Sequence, residues 1–568
     1  MSRAEAQAVL TGPGGMFEVT TDTVDGLTMK VYKDRLRSLR EVAAMGQSRG
    51  DAEEYVVYGD RRYGFGTFVA QSNSVSRQLT AAGVAHGDRI AILSANNPQW
   101  VLAFWGSVDL GAIVVGLNGW WKTDEIVYGL QDSSSRILIA DRGRFERVVR
   151  HLDECPALSA VYLIDADPAE FGSDPGLHRF DELLTKPGPD LPTVPIDEAD
   201  PAVIFYTSGT TGRPKGAIST HRSMIANLQN TVFNAVLGAM QVGAEGARAE
   251  SQTASLLTSP MFHVSGCHSG IVVGMLAGVK LVIPVGKFEP EKAMALIQDE
   301  RISVWATVPT MVWRVVEHPD RDRYDLSSVT SVATGGSAAA GELQRQVRAT
   351  FSNVRTLGNA YGLTESSSVA TVNSGEDFLR RPDSVGLPMP VVDLKVVDAS
   401  GTDVGTGRSG EVWIKGPIIM PGYWGKPEAT ASTITDGWLH TGDVGYLDDD
   451  GFLFITDRAK DMIIRGGENV YCVEIENRLL EHPAVLDAAV IGVPHQSLGE
   501  EVKAIVEVEP GAPVTAGELR AWVAETLANF KVPAYVEITS AKLPRNASGK
   551  LLKNVLRGEG EVSFAETM

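Results

Sequence analysis

From about Val56 the chain alternates short apolar runs with segments of helical period. Ile90-Ala91-Ile92-Leu93 predicts a strand over 89–93, and further apolar runs predict strands over 112–115 and 137–140. Between them, residues 68–82 are amphipathic at helical spacing and stop at Gly83. Asn97-Pro98 opens a second helix with proline at an early position, and Thr123-Asp124-Glu125 starts a third. Gly59-Asp60, set between apolar and aromatic residues in 54–65, predicts a hairpin. Strand–helix–strand repetition implies a mostly parallel sheet covered by helices. Ala202-Val203-Ile204-Phe205 predicts one more buried strand, and the pattern resumes with strands over 280–285, 304–308, 329–333 and 353–357.

The texture changes near Arg381. Glycine, proline and short β runs dominate to about residue 456, including 391–397, 410–415 and 451–455, which predicts a smaller β unit. Beyond Asp461 a helix over 473–480, strands over 486–493 and 502–508, and a helix over 516–527 predict an α+β unit that runs on as coil to Lys550. The charged segment Thr456-Asp457-Arg458-Ala459-Lys460-Asp461 between them is the candidate linker.

At 568 residues the chain divides into three or four folding units at ~150 residues each. A formal net charge of −20 argues against a nucleic-acid binder, which would need a basic face, so a polyanionic substrate has to be met by local cations. Cys155, Cys267 and Cys472 are far apart and form no Cys-x-x-Cys, which fits a reducing compartment without a zinc site or disulfide framework. The apolar stretches 101–115 and 271–285 are interrupted by Asp109 and Lys280 and read as core, not as membrane spans. With no apolar core near Met1, the chain reads as cytoplasmic.

The densest candidate chemistry follows the strand at 202–205. Thr207, Ser208, Thr210 and Thr211 stand with Gly209, Gly212, Gly216 and Lys215 within a few residues. Glycines let a backbone curve around an oxyanion, hydroxyls and amides donate to it, and Lys215 adds a full charge. The glycine spacing is not that of a Walker A loop. Tyr361-Gly362-Leu363-Thr364-Glu365-Ser366 follows a predicted strand end, where open α/β sheets bind ligands. Glu365 beside a phosphate loop is a sensible Mg²⁺ ligand, and Tyr361 offers a flat face to a nucleobase. Thr441-Gly442-Asp443, Asp457-Arg458 and a small-residue loop ending in Lys550 add charged groups; taken singly, these and His263 read as turns, surface charges or a core histidine.

Six segments in this order resemble the adenylate-forming superfamily of acyl-CoA synthetases, firefly-luciferase-like enzymes and peptide-synthetase adenylation domains. They are the 206–216 loop, Phe262-His263, 361–366, Thr441-Gly442-Asp443, 457–471 and the Lys550 loop. The resemblance, most like a fatty-acid–CoA ligase, implies an α/β fold with a large N-terminal domain over 1–456 of βα-layered subdomains plus a small β unit at about 381–456. A hinge at 457–460 and a small mobile α+β C-terminal domain over 461–568 follow. It implies that ATP and a carboxylic acid give an acyl-adenylate, from which coenzyme A displaces AMP. Carried over by residue, Thr207, Ser208, Gly209, Thr210, Thr211, Gly212 and Lys215 hold the β- and γ-phosphates. Gly335, Gly336, Ser337 and Tyr361 enclose the adenine, Thr364 meets the α-phosphate, and Glu365 with Thr210 binds Mg²⁺. Asp443 takes the ribose with Arg458 nearby, and Lys550 reaches the α-phosphate and acyl oxygens. Lys460 is the hinge residue, and its rotation replaces Lys550 by the Gly466-Gly467 loop, past which pantetheine runs. His263 stands among the catalytic residues.

Phe262, Val264 and Ala360 are the expected acyl lining and carry no charge for an amino acid's ammonium group. The expected substrate is therefore an apolar acid, a medium- or long-chain fatty acid first, with an aryl or steroid-type acid, or a carrier-protein acceptor, as alternatives. A non-catalytic acyl- or nucleotide-binding protein is the alternative of another class, and the presence of Lys550, Glu365 and the full hydroxyl loop argues against it. Two departures stand out: Ala360 where the superfamily often has glycine, and the pair Trp120-Trp121 where many relatives carry smaller or basic residues. Peripheral membrane contact and a homodimer are left open by the sequence.

Overall fold

The computed structural model describes residues 1–172, 176–185, 194–207, 213–242, 251–335, 341–458, 461–465, 468–496, 498–546 and 550–558. Among them, two large sheets carry the N-terminal part. The first is 7-stranded, in the order Lys215–Thr220, Pro201–Thr207, Ile113–Gly116, Arg89–Leu93, Ile137–Asp141, Ala160–Ile164 and Leu177–Arg179. Its strands are parallel except for the hairpin made by the first two. The second is 9-stranded, parallel from Thr356–Leu363 across to Glu54–Tyr58, with antiparallel strands added at both edges.

The apolar runs explain these strands, because a parallel strand buried on both faces has no polar side to show. Arg89–Leu93 and Ile137–Asp141 are buried from Ile90 to Leu93 and from Ile137 to Ala140. The helix Pro98–Asp109 is buried from Pro98 to Val108, which identifies the apolar stretch there as core. Asn97 caps it by accepting from Trp100 N at 2.8 Å, with Pro98 where a missing N–H costs nothing. Trp105 Nε1 donates to Tyr55 Oη (3.1 Å), which donates to Ile271 O (2.8 Å), so these buried polar tips are matched. No helix among the described residues is long and apolar enough to cross a membrane.

The small β unit contains Asp393–Val397, Gly410–Lys415, Trp438–Leu447, Ile434–Thr435 and Leu453–Arg458. The C-terminal part is a second 5-stranded sheet with helices Cys472–Leu480 and Ala516–Ala524 closing a core of Ile475, Leu479, Val490, Ala504, Leu519 and Val523. A large mixed α/β N-terminal domain and a small C-terminal one are thus present.

Two boundaries differ from expectation in ways that matter. The strand expected over 353–357 is Thr356–Leu363, so Tyr361 lies inside a strand and not after its end; pairing with Ser368–Ser374 prolongs it into a hairpin. The candidate linker begins as a strand, since Asp457 pairs with Val444 and Arg458 with Asp443. The strand expected over 280–285 stops at Val282, short of Pro284. The helix His221–Val242 and the hairpin Val19–Val24/Leu27–Tyr32 are additions that the apolar pattern does not predict.

Candidate functional site

The hydroxyl loop is the tip of the hairpin Pro201–Thr207/Lys215–Thr220. Ser208, Gly209, Thr210, Thr211 and Gly212 lie outside the described residues. Its neck is described: Thr207 pairs with Lys215, and Thr207 Oγ1 donates to Lys215 O at 3.4 Å. On one side Tyr128 Oη donates to Pro214 O (3.0 Å) and Tyr206 Oη to Asp132 Oδ2 (3.0 Å), while Lys426 Nζ meets Asp132 Oδ1 at 2.7 Å.

On the other side the segment 420–424 is strapped across the second strand. Trp424 N donates to Gly216 O (2.8 Å), Ile218 N to Gly422 O (3.2 Å) and Met420 N to Glu365 O (2.9 Å). The strap carries Tyr423, which the sequence did not single out. Lys215 Nζ lies 4.6 Å from the centre of its ring, and its Oη donates to Glu365 Oε1 at 2.8 Å. Burial, then the Glu365 charge, pushes the Tyr423 phenol far above its ordinary range, so it stays protonated and donates. One aromatic ring thereby links the loop lysine to the candidate metal-binding carboxylate. The only sequence signal for it was Pro421-Gly422-Tyr423-Trp424, an aromatic pair after a turn.

Glu365 lies in the 3₁₀ turn Thr364–Ser366 of the hairpin Thr356–Leu363/Ser368–Ser374. The turn rests on buried hydroxyls: Ser367 Oγ donates to Ser223 Oγ (2.9 Å) and lies 3.3 Å from Ser219 Oγ, and His268 Nε2 is 3.0 Å from Ser219 Oγ. Burial, with His263 nearby, lowers His268 to about 3, so its ring is neutral at physiological pH. Glu365 Oε1 is engaged by Tyr423. A carboxylate oriented through one oxygen, beside the neck of the candidate phosphate loop, suits a hard cation that completes its shell with phosphate oxygens and water. Among the described residues no group of three or more His, Cys, Asp or Glu could hold a metal by itself.

Tyr361, earlier in the same hairpin, donates through Oη to Asp443 Oδ2 at 2.7 Å. Asp443 is buried, donates its backbone N–H to Thr441 Oγ1 (3.1 Å) and stands opposite Arg458 in the β unit. Of Arg458 only the backbone is described. Gly335 pairs with Ala360 on the neighbouring strand, and a Cβ there would lie 3.4 Å from the Ala360 carbonyl oxygen; Gly336 and Ser337 lie outside the described residues.

On the expected acyl side, His263 caps the short helix Val264–Gly266, with Ser265 N donating to Nδ1 at 3.3 Å. Close packing lowers its pKa to about 4, so it too is neutral. Phe262 meets Trp120 edge-on at 5.2 Å, Trp121 meets Tyr206 edge-on at 5.4 Å, and Val264 is buried. The tryptophan pair therefore divides, one ring toward Phe262 and the other toward the root of the hydroxyl-loop hairpin.

Of Lys550 the backbone bonds are described. Its N–H donates to Asn546 Oδ1 (2.9 Å) and its carbonyl accepts from Asn546 N (2.8 Å), bonds made within the C-terminal unit. Lys460, Gly466 and Gly467 lie outside the described residues. Just before Lys460, the buried Asp457 accepts the backbone N–H of Cys472, the first residue of the helix Cys472–Leu480. The Cys472 thiol, buried and raised well above its usual pKa, donates to Asp461 O at 3.0 Å.

Comparison with known proteins gives two family matches: "AMP-binding enzyme" over residues 42–424 and "AMP-binding enzyme C-terminal domain" over 474–550. The chain is 35% identical over 518 residues to the 3-[(3aS,4S,7aS)-7a-methyl-1,5-dioxo-octahydro-1H-inden-4-yl]propanoyl:CoA ligase of Rhodococcus jostii, covering 89% of this chain and 95% of that one. It is 31% identical over 549 residues to a long-chain-fatty-acid–CoA ligase of Bacillus subtilis, covering 92% and 94%. Among solved structures, the o-succinylbenzoate CoA synthetase of Bacillus subtilis in complex with its acyl-adenylate intermediate superposes with a TM-score of 0.75 at 30% identity, covering 92% of this chain and 98% of that one.

Proposed function

The chain belongs to the AMP-binding enzyme family, and from that premise we propose that it activates an apolar carboxylic acid as its acyl-adenylate and passes the acyl group to coenzyme A. It is an AMP-forming acid–thiol ligase by family, with ATP and coenzyme A as the family's substrates. The observation that supports these site roles is the Lys215–Tyr423–Glu365 assembly at the neck of the hydroxyl loop.

The difficulty of the first half-reaction is bringing a carboxylate to a triphosphate. Lys215 and the loop hold the β- and γ-phosphates, which keeps the pyrophosphate leaving group in line with the attacking oxygen. Thr364 donates to the α-phosphate, and Glu365, oriented by Tyr423, would hold Mg²⁺ with Thr210. Mg²⁺, when bound, offsets the negative charge that builds on the phosphate oxygens. Tyr361 stacks on the adenine with Gly335, Gly336 and Ser337 behind it, and Asp443, with Arg458 opposite, accepts from the ribose hydroxyls. Lys550 brings a cation to the α-phosphate and acyl oxygens, where charge increases at the transition state. Rotation about Lys460 then withdraws Lys550 and presents Gly466-Gly467 to the pantetheine thiol. Neutral His263 borders the acyl carboxylate without adding charge.

The acid is a fatty acid of medium or long chain in the first reading, supported by the uncharged lining of Phe262, Val264 and Ala360 and by likeness to a long-chain ligase. A ring-bearing acid is the second reading, favoured by the Trp120–Phe262 pair beside the lining and by likeness to the bicyclic-propanoyl ligase. A panel of acids of graded length and ring content, followed by pyrophosphate release with and without coenzyme A, separates them. Turnover of C8–C16 chains with no ring-bearing acid active supports the first, and the converse supports the second. Acid-independent pyrophosphate release, or none, overturns both.

A further inference from the structure

We propose that two ion pairs on opposite sides of the Lys550 loop, Arg545–Asp487 and Lys553–Glu476, are positioning residues for Lys550 and act on adenylate formation alone. The proposal rests on the role given to Lys550 above. The loop is narrow at its base: Arg545 and Leu551 form an antiparallel bridge, and Leu552 N donates to Pro544 O at 2.9 Å. On its entering side, Arg545 grips Asp487 in a fork, Nη2 to Oδ1 at 2.9 Å and to Oδ2 at 2.7 Å. Asp487 opens the strand Asp487–His495. On its leaving side, Lys553 Nζ meets Glu476 Oε1 at 2.8 Å, with both side chains only about a tenth exposed (10% and 11%). Glu476 lies in the helix Cys472–Leu480, and its Oε1 also accepts from Val490 N at 2.8 Å. The two ends of the loop are thus anchored to a strand and a helix that share one core.

A lysine at the end of four flexible bonds contributes to a transition state only if its backbone is held to within a fraction of an ångström. Asn546 holds the Lys550 backbone locally, through Oδ1 at 2.9 Å and its N–H at 2.8 Å, so what the anchors add is the placement of this loop on the core of the C-terminal unit. The anchors are charged where apolar contacts would bind the loop as well. A buried ion pair adds little net stability over a matched apolar pair, but its geometry is specific. An Arg–carboxylate fork likewise fixes orientation as well as distance. The Lys553 ammonium also feels the Asp457 carboxylate, which accepts the N–H of Cys472, so the loop is tied to the start of the helix Cys472–Leu480.

The test compares Glu476→Gln/Lys553→Met, Lys553→Arg, Asp487→Asn and Lys550→Ala in the full chain. Acid-dependent pyrophosphate release reads the first half-reaction, and thioester formed from supplied acyl-adenylate and coenzyme A reads the second. The double variant removes both charges while leaving an amide oxygen at position 476 to accept from Val490 N. It is expected to slow pyrophosphate release by about ten- to a hundredfold, the range for a misplaced catalytic group. Thioester formation stays within about twofold of the parent, Lys553→Arg, which keeps a cation opposite Glu476, keeps pyrophosphate release near the parent rate, and Asp487→Asn lowers it in the same selective way. An equal fall in both half-reactions, or no fall in the first, overturns the proposal. Lys550→Ala separates the two levels: if it keeps pyrophosphate release, the role of Lys550 is wrong. If it loses it while the double variant does not, only the clamp is wrong.

Discussion

Tyr423 is the side chain on which the candidate phosphate and metal groups converge. Removing its hydroxyl leaves the ring under Lys215 but takes from Glu365 a hydrogen bond to a charged acceptor, a type that contributes ~1.5–3 kcal/mol. Tyr423→Phe is therefore expected to lower adenylate formation by about 10- to 100-fold and to raise the Mg²⁺ concentration needed for half-maximal pyrophosphate release. An unchanged Mg²⁺ dependence would argue that Glu365 is oriented by something else. Lys215 and Glu365 were legible in sequence because glycines, hydroxyls and a lysine crowd into one loop and a carboxylate follows a strand. Tyr423 was not, because its partner Glu365 is 58 positions away and a tyrosine after a turn has no pattern of its own. The same holds for Tyr361 and Asp443, 82 positions apart, whose direct hydrogen bond only the folded chain reveals. A second residue-level prediction concerns acid. His221 is fully buried and accepts from Leu39 N on Nδ1 (3.1 Å), and burial lowers its pKa from 6.5 to about 4. A histidine with a folded pKa below its unfolded one is stabilising while neutral. That stability is present above about pH 6.5 and is lost as pH falls from there toward 4, by about 3 kcal/mol in all. Urea midpoints measured between pH 7.5 and 4.5 should fall in the parent and fall less in His221→Gln.

At the scale of elements, the apolar runs predicted the central strands closely, since a strand buried on both faces can only be a continuous hydrophobic run. The helix His221–Val242 is hidden in the sequence because Ser223, Asn227 and Asn230 are buried in it, and polar residues on the inward side blur the helical period. For the hairpin that carries Tyr361 and Glu365, the sequence marks the place but not the shape. Its strands are offset between Tyr361 and Gly362, and there the backbones come so close that a Cβ on Gly362 would lie 1.6 Å from Ser368 O. Only a glycine fits that bulge. Gly362→Ala must push the two strands apart and is expected to cost roughly 1–3 kcal/mol or more. Because Tyr361 and the Thr364–Ser366 turn hang on those strands, nucleotide affinity should fall with it. A thermal melt and an ATP titration read the two effects, and loss of stability with unchanged ATP binding would place the strain away from the site.

Across the whole molecule, the division into a large α/β part, a small β unit and an α+β end was visible in changes of texture, whereas the way the parts join was not. The charged run after Thr456 resembles a solvated tether by composition, yet its first residues are a strand and Asp457 is buried. Asp457 closes the β unit and accepts the amide that opens the helix Cys472–Leu480, so one hydrogen bond spans the proposed hinge. A charge-assisted bond of ~1.5–3 kcal/mol corresponds to a population bias of about 10- to 100-fold between two arrangements. If the proposed swing breaks this bond, the C-terminal part leaves the arrangement described here only when a ligand prefers the alternative by more than that margin. Asp457→Asn, which keeps the shape and removes the charge, should move the balance and change the ratio of pyrophosphate release to thioester formation. An unchanged ratio would mean that the bond survives the swing. On this view the chemistry itself sets the clock: exchange of a bound triphosphate for an acyl-adenylate and free pyrophosphate changes what the small domain is attracted to, and the swing follows from that loss of attraction without a separate trigger.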